Sequence, residues 1–214
     1  AADVKLSSAV ETRLNENITV SLLGNTKIED YQSDNKFDLI ASVYGVEYSD
    51  LSLSLPLIKK MLMPEGQVNF LMHHSESVIT QMSQKALGEF DFDLMKSVID
   101  NLKIINSELN RLHGKLPKLK KSKVAETARA RVNQVLGSIM NKPPSSRNPI
   151  LVDFSLDSLG FFKIIQRSKS DRKEYIDSLL PDFYSFEERL SQMVDVARDE
   201  QEIKTFKKNM VDAG

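Results

Sequence analysis

Two apolar runs that bracket a helical stripe constrain this chain most. The first, FDLIASVY at residues 37–44, is almost continuously apolar, as a strand buried on both faces is. Pro56 suits the first turn of a helix. Leu57, Ile58, Met61 and Leu62 then follow at helical spacing. MPEG at 63–66 ends that helix, and QVNFLM at 67–72 reads as the next strand. Strand, helix and strand within about 35 residues make a βαβ unit, with parallel strands and a right-handed crossover. The expected fold class is therefore α/β.

The rest of the chain divides around that unit. Val4, Val10 and Leu14 place a short helix over residues 3–15. ITVSLL at 18–23 alternates apolar and polar residues, stops at Gly24 and reads as a strand. From about 75 to 140 the texture is helical. Leu94, Val98, Leu102, Ile105, Leu109 and Leu112 recur at helical spacing, HGKLPKLKKSK at 113–123 breaks the pattern, and a second helix spans 124–140. NKPPSSRNP at 141–149 is a proline-rich linker. ILVDFS, directly after it, suits a short strand or the start of a helix, and residues 175–180 and 187–210 read as acidic helices. The organisation expected is a core over 1–80, a helical insertion or cap over 81–150, and a C-terminal helical segment over 151–214 that returns to the core. Such an insertion exceeds ordinary connection lengths.

Composition removes several chemistries. The chain has no cysteine, which excludes disulfides, thiolate zinc sites and cysteine nucleophiles. A net charge of −1 argues against a generic polyanion binder, and a 41 % apolar content is enough for a real core. No apolar run has the length a bilayer requires, and the first residues lack a signal core. A cytoplasmic protein with no membrane partner is the expectation.

In open parallel α/β sheets, ligands bind beyond the carboxyl ends of the strands. Three such ends are expected here: Gly24-Asn25-Thr26; Ser42-Val43-Tyr44-Gly45, running on to Glu47 and Tyr48; and His73-His74-Ser75. Each is small, polar or aromatic and follows an apolar run directly.

The order GNTKIEDY, FDLIASVYGVEY and LIKKMLMPEGQVNFLMHH resembles class I S-adenosylmethionine-dependent methyltransferases. MLMPEGQVNFLM takes the place of the family's LKPGG and fifth strand, with Glu65 where the first glycine stands. YGVEY followed by HHSESVI resembles a narrower group with a helical insertion after that strand. The resemblance covers residues 1–80 and, loosely, EIKTFKKNMVDAG at the end. It implies a Rossmann-like core, S-adenosylmethionine as cofactor and a small-molecule acceptor. It places Gly24, Asn25 and Thr26 at the adenine, Ser42, Val43 and Tyr44 along the methionine, and Glu47, Tyr48, His73 and His74 at the acceptor. The family's glycine-rich first turn is missing, as are the first strand, most or all of the second, and the last two. The strand at 18–23 would then not pair with that at 37–44, and ladder groups would stay unpaired. The implied state is a partial core, a fragment of a longer protein.

Methyl transfer is an in-line displacement in which the enzyme positions donor and acceptor and excludes water. Acceptors that must lose a proton need a base, for which His73 or His74 is suited. Adjacent strand residues face opposite ways, so one of the two reaches the cleft. Glu47 would bind an amine or hydroxyl acceptor, with Tyr44 and Tyr48 packing on cofactor or acceptor. A two-histidine metal site with Glu76 has poor ligand spacing for zinc. A serine hydrolase using Ser75 or Ser77 with His73 lacks a nucleophile elbow.

One charge feature stands apart. Arg111, Lys115, Lys118, Lys120, Lys121, Lys123, Arg129 and Arg131 are opposed only by Glu126. A basic loop between helices touches phosphates, so nucleic acid is a second partner class. No aromatic residue is interleaved, which gives no support to base stacking. The competing function is non-catalytic: a partial or degenerate methyltransferase fold acting as an interaction module.

Overall fold

The computed structural model describes residues 19–212. The chain forms two units, one from Ala1–Ser75 with Val196–Gly214 and one from Glu76–Asp195. The fold is mixed α/β and mostly helical, with a small parallel sheet.

The first unit is built on the βαβ element. Strand β1 (Phe37–Val43) leads through a 3-10 turn (Val46–Tyr48) to helix α1 (Leu51–Met61) and strand β2 (Leu62–Leu71). β1 and β2 pair in parallel, with Ile40 opposite Val68, Ser42 opposite Phe70 and Val43 opposite Leu71. Among the described residues the sheet has these two strands alone.

Helix α1 starts earlier than Pro56 suggests. Asp50 Oδ1 accepts the Ser52 N–H at 2.9 Å, so the cap lies before Leu51 and Pro56 falls inside the helix. Asp50 is exposed, and its hydrogen bonds to Ser52 hold its carboxyl below the usual aspartate range. The MPEG segment belongs to β2 rather than to the helix end. There the register breaks between Phe37 and Leu39, and Glu65 takes a φ of 70°. A Cβ on Gly66 would lie 2.9 Å from the carbonyl oxygens of Met63 and Phe37, so only glycine lets the irregular strand close on β1.

Val46, Ile58 and Met61 are buried against Phe37, Ile40, Val68 and Phe70. This packing covers one sheet face. Leu39, Val43 and Leu71 stay at least half exposed, which corrects the expectation that β1 is buried on both faces. The expected strand at 18–23 is also corrected: residues 19–24 carry no regular secondary structure. No third strand offers them a ladder among the described residues, and hydrophobic alternation alone does not make a strand without a partner. The helix expected at 3–15 lies outside the described residues.

The last element of this unit is α8 (Glu200–Asp212). A capping box opens it, as Asp199 Oδ1 accepts the Glu202 N–H at 2.7 Å and Glu202 Oε2 accepts the Asp199 N–H at 2.9 Å. Phe206 meets Phe70 edge-on at 5.9 Å.

The second unit contains α2 (Val78–Leu87), α3 (Phe92–Arg111), α4 (Leu116–Leu119), α5 (Lys123–Met140), α6 (Pro149–Lys163) and α7 (Lys169–Val196). Met95, Val98, Leu102, Ile105 and Leu109 form the buried stripe of α3 and meet Ala128, Val132 and Leu136 of α5. Phe154, Phe161, Ile176 and Phe183 complete that core. Ser77, Asp91, Ser122 and Asn148 cap α2, α3, α5 and α6 through side-chain oxygens. ILVDFS is the start of helix α6, and the two acidic helices expected after it are drawn differently. The first runs on as the 28-residue α7, through Pro181, and the break falls at 197–199.

Candidate functional site

The carboxyl ends of β1 and β2 lie side by side because the strands are parallel and in register there. Tyr44, the residue after β1, donates its N–H to Leu71 O at 2.8 Å and adopts a φ of 51°. A left-handed conformation at a non-glycine residue costs roughly 1–2 kcal/mol and is held only where surrounding contacts fix it. The contact here is a stacked pair, with the Tyr44 and His73 rings 4.5 Å apart at 21°. Tyr48 meets the same imidazole edge-on at 6.3 Å. Both tyrosines remain nearly half exposed, so the aromatic group opens to solvent.

Glu47 joins this group through the His73 backbone. Its side chain is 1 % exposed, and Oε1 accepts the His73 N–H at 3.1 Å. Oε2 is buried and has no hydrogen-bond donor among the described residues. A buried carboxylate oxygen without a donor is costly and rare. Burial first, and the Glu47 carboxylate second, raise the Tyr48 hydroxyl above the usual tyrosine range.

A cavity of about 460 Å³ borders the cluster, lined by Thr26, Ile40, Ser42, Gly45, Tyr48 and Phe70 among others. That volume is in the usual range of small-molecule pockets. Ser42 Oγ accepts the Val46 N–H at 2.9 Å and fixes the turn that carries Glu47 and Tyr48. A Cβ on Gly45 would lie 3.2 Å from that hydroxyl, so glycine permits the close approach.

The structure thus brings Thr26, Ser42 and Tyr48 to one cavity and Tyr44, Glu47, Tyr48 and His73 to one aromatic and acidic cluster. Val43 falls on the uncovered sheet face, 69 % exposed. Gly24 and Asn25 precede the cavity in irregular chain, with Asn25 at a φ of 55° and the Thr26 hydroxyl donating to Gly24 O at 3.1 Å. His74 pairs with Arg198 through the backbone in a parallel bridge. Among the described residues no three acidic or histidine side chains are grouped to hold a metal ion.

Arg198 is the residue that sequence reasoning missed. Its N–H donates to His73 O at 2.9 Å, and its carbonyl accepts the Ser75 N–H at 3.0 Å. It therefore fixes the backbone that presents His73. Its Nε is buried without an acceptor among the described residues. The Asp199 to Glu202 capping box marks a helix start directly after Arg198, and that signal was open to a reader of the sequence.

No protein-family model, curated protein or solved structure matches the chain. Among the described residues no helix is long and apolar enough to cross a membrane.

Proposed function

We propose that this chain carries the strand-end half of a Rossmann-like methyl-transfer site, using S-adenosylmethionine and a small-molecule acceptor in the cytoplasm. One observation carries the reading. A tyrosine in a strained backbone conformation stacks on a histidine whose backbone is bonded to a buried, half-satisfied glutamate, at the carboxyl ends of two parallel strands and beside a cavity of ligand size. The order of sequence motifs supports the same reading.

The residues present fit such a ligand. Thr26 and Ser42 offer polar contacts from the cavity wall, with Asn25 and Gly24 next to them in the chain. The exposed Tyr44 and Tyr48 rings offer flat apolar surface. S-adenosylmethionine supplies an electrophilic methyl group on sulfur. The chain's own part is to align the acceptor in line with that methyl and to keep water out. His73 would take the proton of an acceptor that must lose one, while Glu47 holds the His73 backbone in place.

The alternative, an interaction module on a methyltransferase-like fold, draws on the uncovered sheet face of Leu39, Val43 and Leu71. Calorimetric titration of S-adenosylhomocysteine separates the two. The enzyme reading expects saturable binding that Tyr44→Ala weakens about tenfold, the loss of one stacked aromatic contact. Absence of binding, both in this chain and in a version extended at both ends, would end the enzyme reading.

A further inference from the structure

The second unit holds a cationic concavity that the methyl-transfer reading does not use. A cavity of about 590 Å³ lies between the loop that follows α3 and the turn joining α6 to α7. Lys115, Lys118, Arg167 and Arg172 line it with Gly114 and Gln166, and no lining residue is acidic. His113 and Gly114, with successive φ values of 53° and 74°, turn the chain out of α3 toward the two lysines.

Arg172 makes this more than a patch of surface lysines. Its side chain belongs to a residue only 6 % exposed, yet among the described residues no carboxylate pairs with it. Nε donates to Asn106 Oδ1 at 2.9 Å, one terminal nitrogen to Asn110 Oδ1 at 2.6 Å, and the other to Arg167 O. These three neutral acceptors orient the guanidinium and leave two of its five N–H groups unused. Burying a guanidinium without a counter-charge is costly, and an anion in the adjoining cavity would remove that cost. The contrast with neighbouring cations is sharp. Arg111 pairs with Glu108 at 2.7 Å and Arg129 with Glu126 at 2.7 Å, whereas Lys115, Lys118 and Arg167 have no acidic partner among the described residues.

We propose that this concavity binds a small polyphosphorylated anion, with Lys115, Lys118 and Arg167 neutralising it at the rim and Arg172 donating its two remaining N–H groups from below. A planar guanidinium with two free donors suits phosphoryl oxygens, and lysines act beside it as point charges. The lining has no aromatic ring on which a base could stack, so the phosphoryl groups themselves are what is recognised.

The test is calorimetric titration of the full chain with sodium tripolyphosphate at low ionic strength. The expected result is saturable binding that Lys115→Glu with Lys118→Glu weakens by about tenfold or more. Lys207→Glu with Lys208→Glu makes the same charge change on α8 and is expected to leave the affinity unaltered. Arg172→Lys keeps the charge and removes the fork, and weaker binding with an unchanged circular dichroism spectrum is expected. No binding, or equal weakening by the two double variants, would overturn the proposal. So would binding of single-stranded oligouridylate without binding of tripolyphosphate.

Discussion

Glu47 offers a ranking of three side chains that tests how the site is held together. Its Oε1 accepts the His73 N–H, and its Oε2 has no donor among the described residues. Glutamine keeps an acceptor at the first position, places an amide at the second and removes a charge from a site that is 1 % exposed. Alanine removes the acceptor and one buried methylene, Cγ. A neutral buried hydrogen bond contributes about 1 kcal/mol, and each buried methylene about 0.8 kcal/mol. Glu47→Gln is therefore expected to be more stable than Glu47→Ala by about 2 kcal/mol. That difference is independent of the cost of the charge, which both variants relieve. Because the charge is desolvated without full compensation, Glu47→Gln should also equal or exceed the native chain in stability. Urea unfolding of all three proteins, read as midpoint shifts at constant slope, makes the measurement. Equal stability of the alanine and glutamine variants would refute the bond to His73. A glutamine variant less stable than the native chain by more than about 1 kcal/mol would show that Oε2 has a donor after all.

Other expectations follow from the second unit. A Cβ on Gly160 would lie 2.0 Å from the Tyr175 hydroxyl oxygen, which donates to Asp157 O at 2.6 Å. Gly160→Ala should therefore destabilise by about 1–2 kcal/mol despite the better helix propensity of alanine, and Tyr175→Phe should largely relieve the effect in the double variant by thermal unfolding. Hydrogen bonds from Arg111 and then Ser122 lower Glu108 from 4.5 to about 2. Its folded-state value is depressed, so its contribution is present above about 4.5 and is lost as the pH falls toward about 2. The urea midpoint of native chain minus Glu108→Gln is expected to shrink across that window, and a constant difference would contradict the ion pair.

The βαβ unit was legible because its signals are local. The apolar run at 37–44, the helical stripe and the run at 67–72 each need only neighbouring residues to be read, and their parallel pairing follows from the crossover. The long helices of the second unit were legible for the same reason, through the stripe from Met95 to Leu109. The reading failed where a long-range partner decides the outcome. ITVSLL alternates like a strand, but residues 19–24 have no ladder to join among the described residues. MPEG looks like a helix end, yet the approach of Gly66 to the Phe37 carbonyl draws it into β2. At the candidate site, strand-end chemistry pointed to Tyr44, Glu47, Tyr48, His73 and His74, with the choice between the two histidines left open. That Glu47 would be buried, and that Arg198 would clamp His73 from far along the chain, depends on packing that no local pattern encodes.

The proposed function requires S-adenosylmethionine to bind at the carboxyl ends of β1 and β2. Hydrogen–deuterium exchange with and without saturating S-adenosylhomocysteine tests it most directly, because it reports both binding and place. Slowed exchange is expected at residues 42–48 and 73, with the helices of the second unit unchanged. Unaltered exchange at residues 42–48, or protection confined to the second unit, would contradict it.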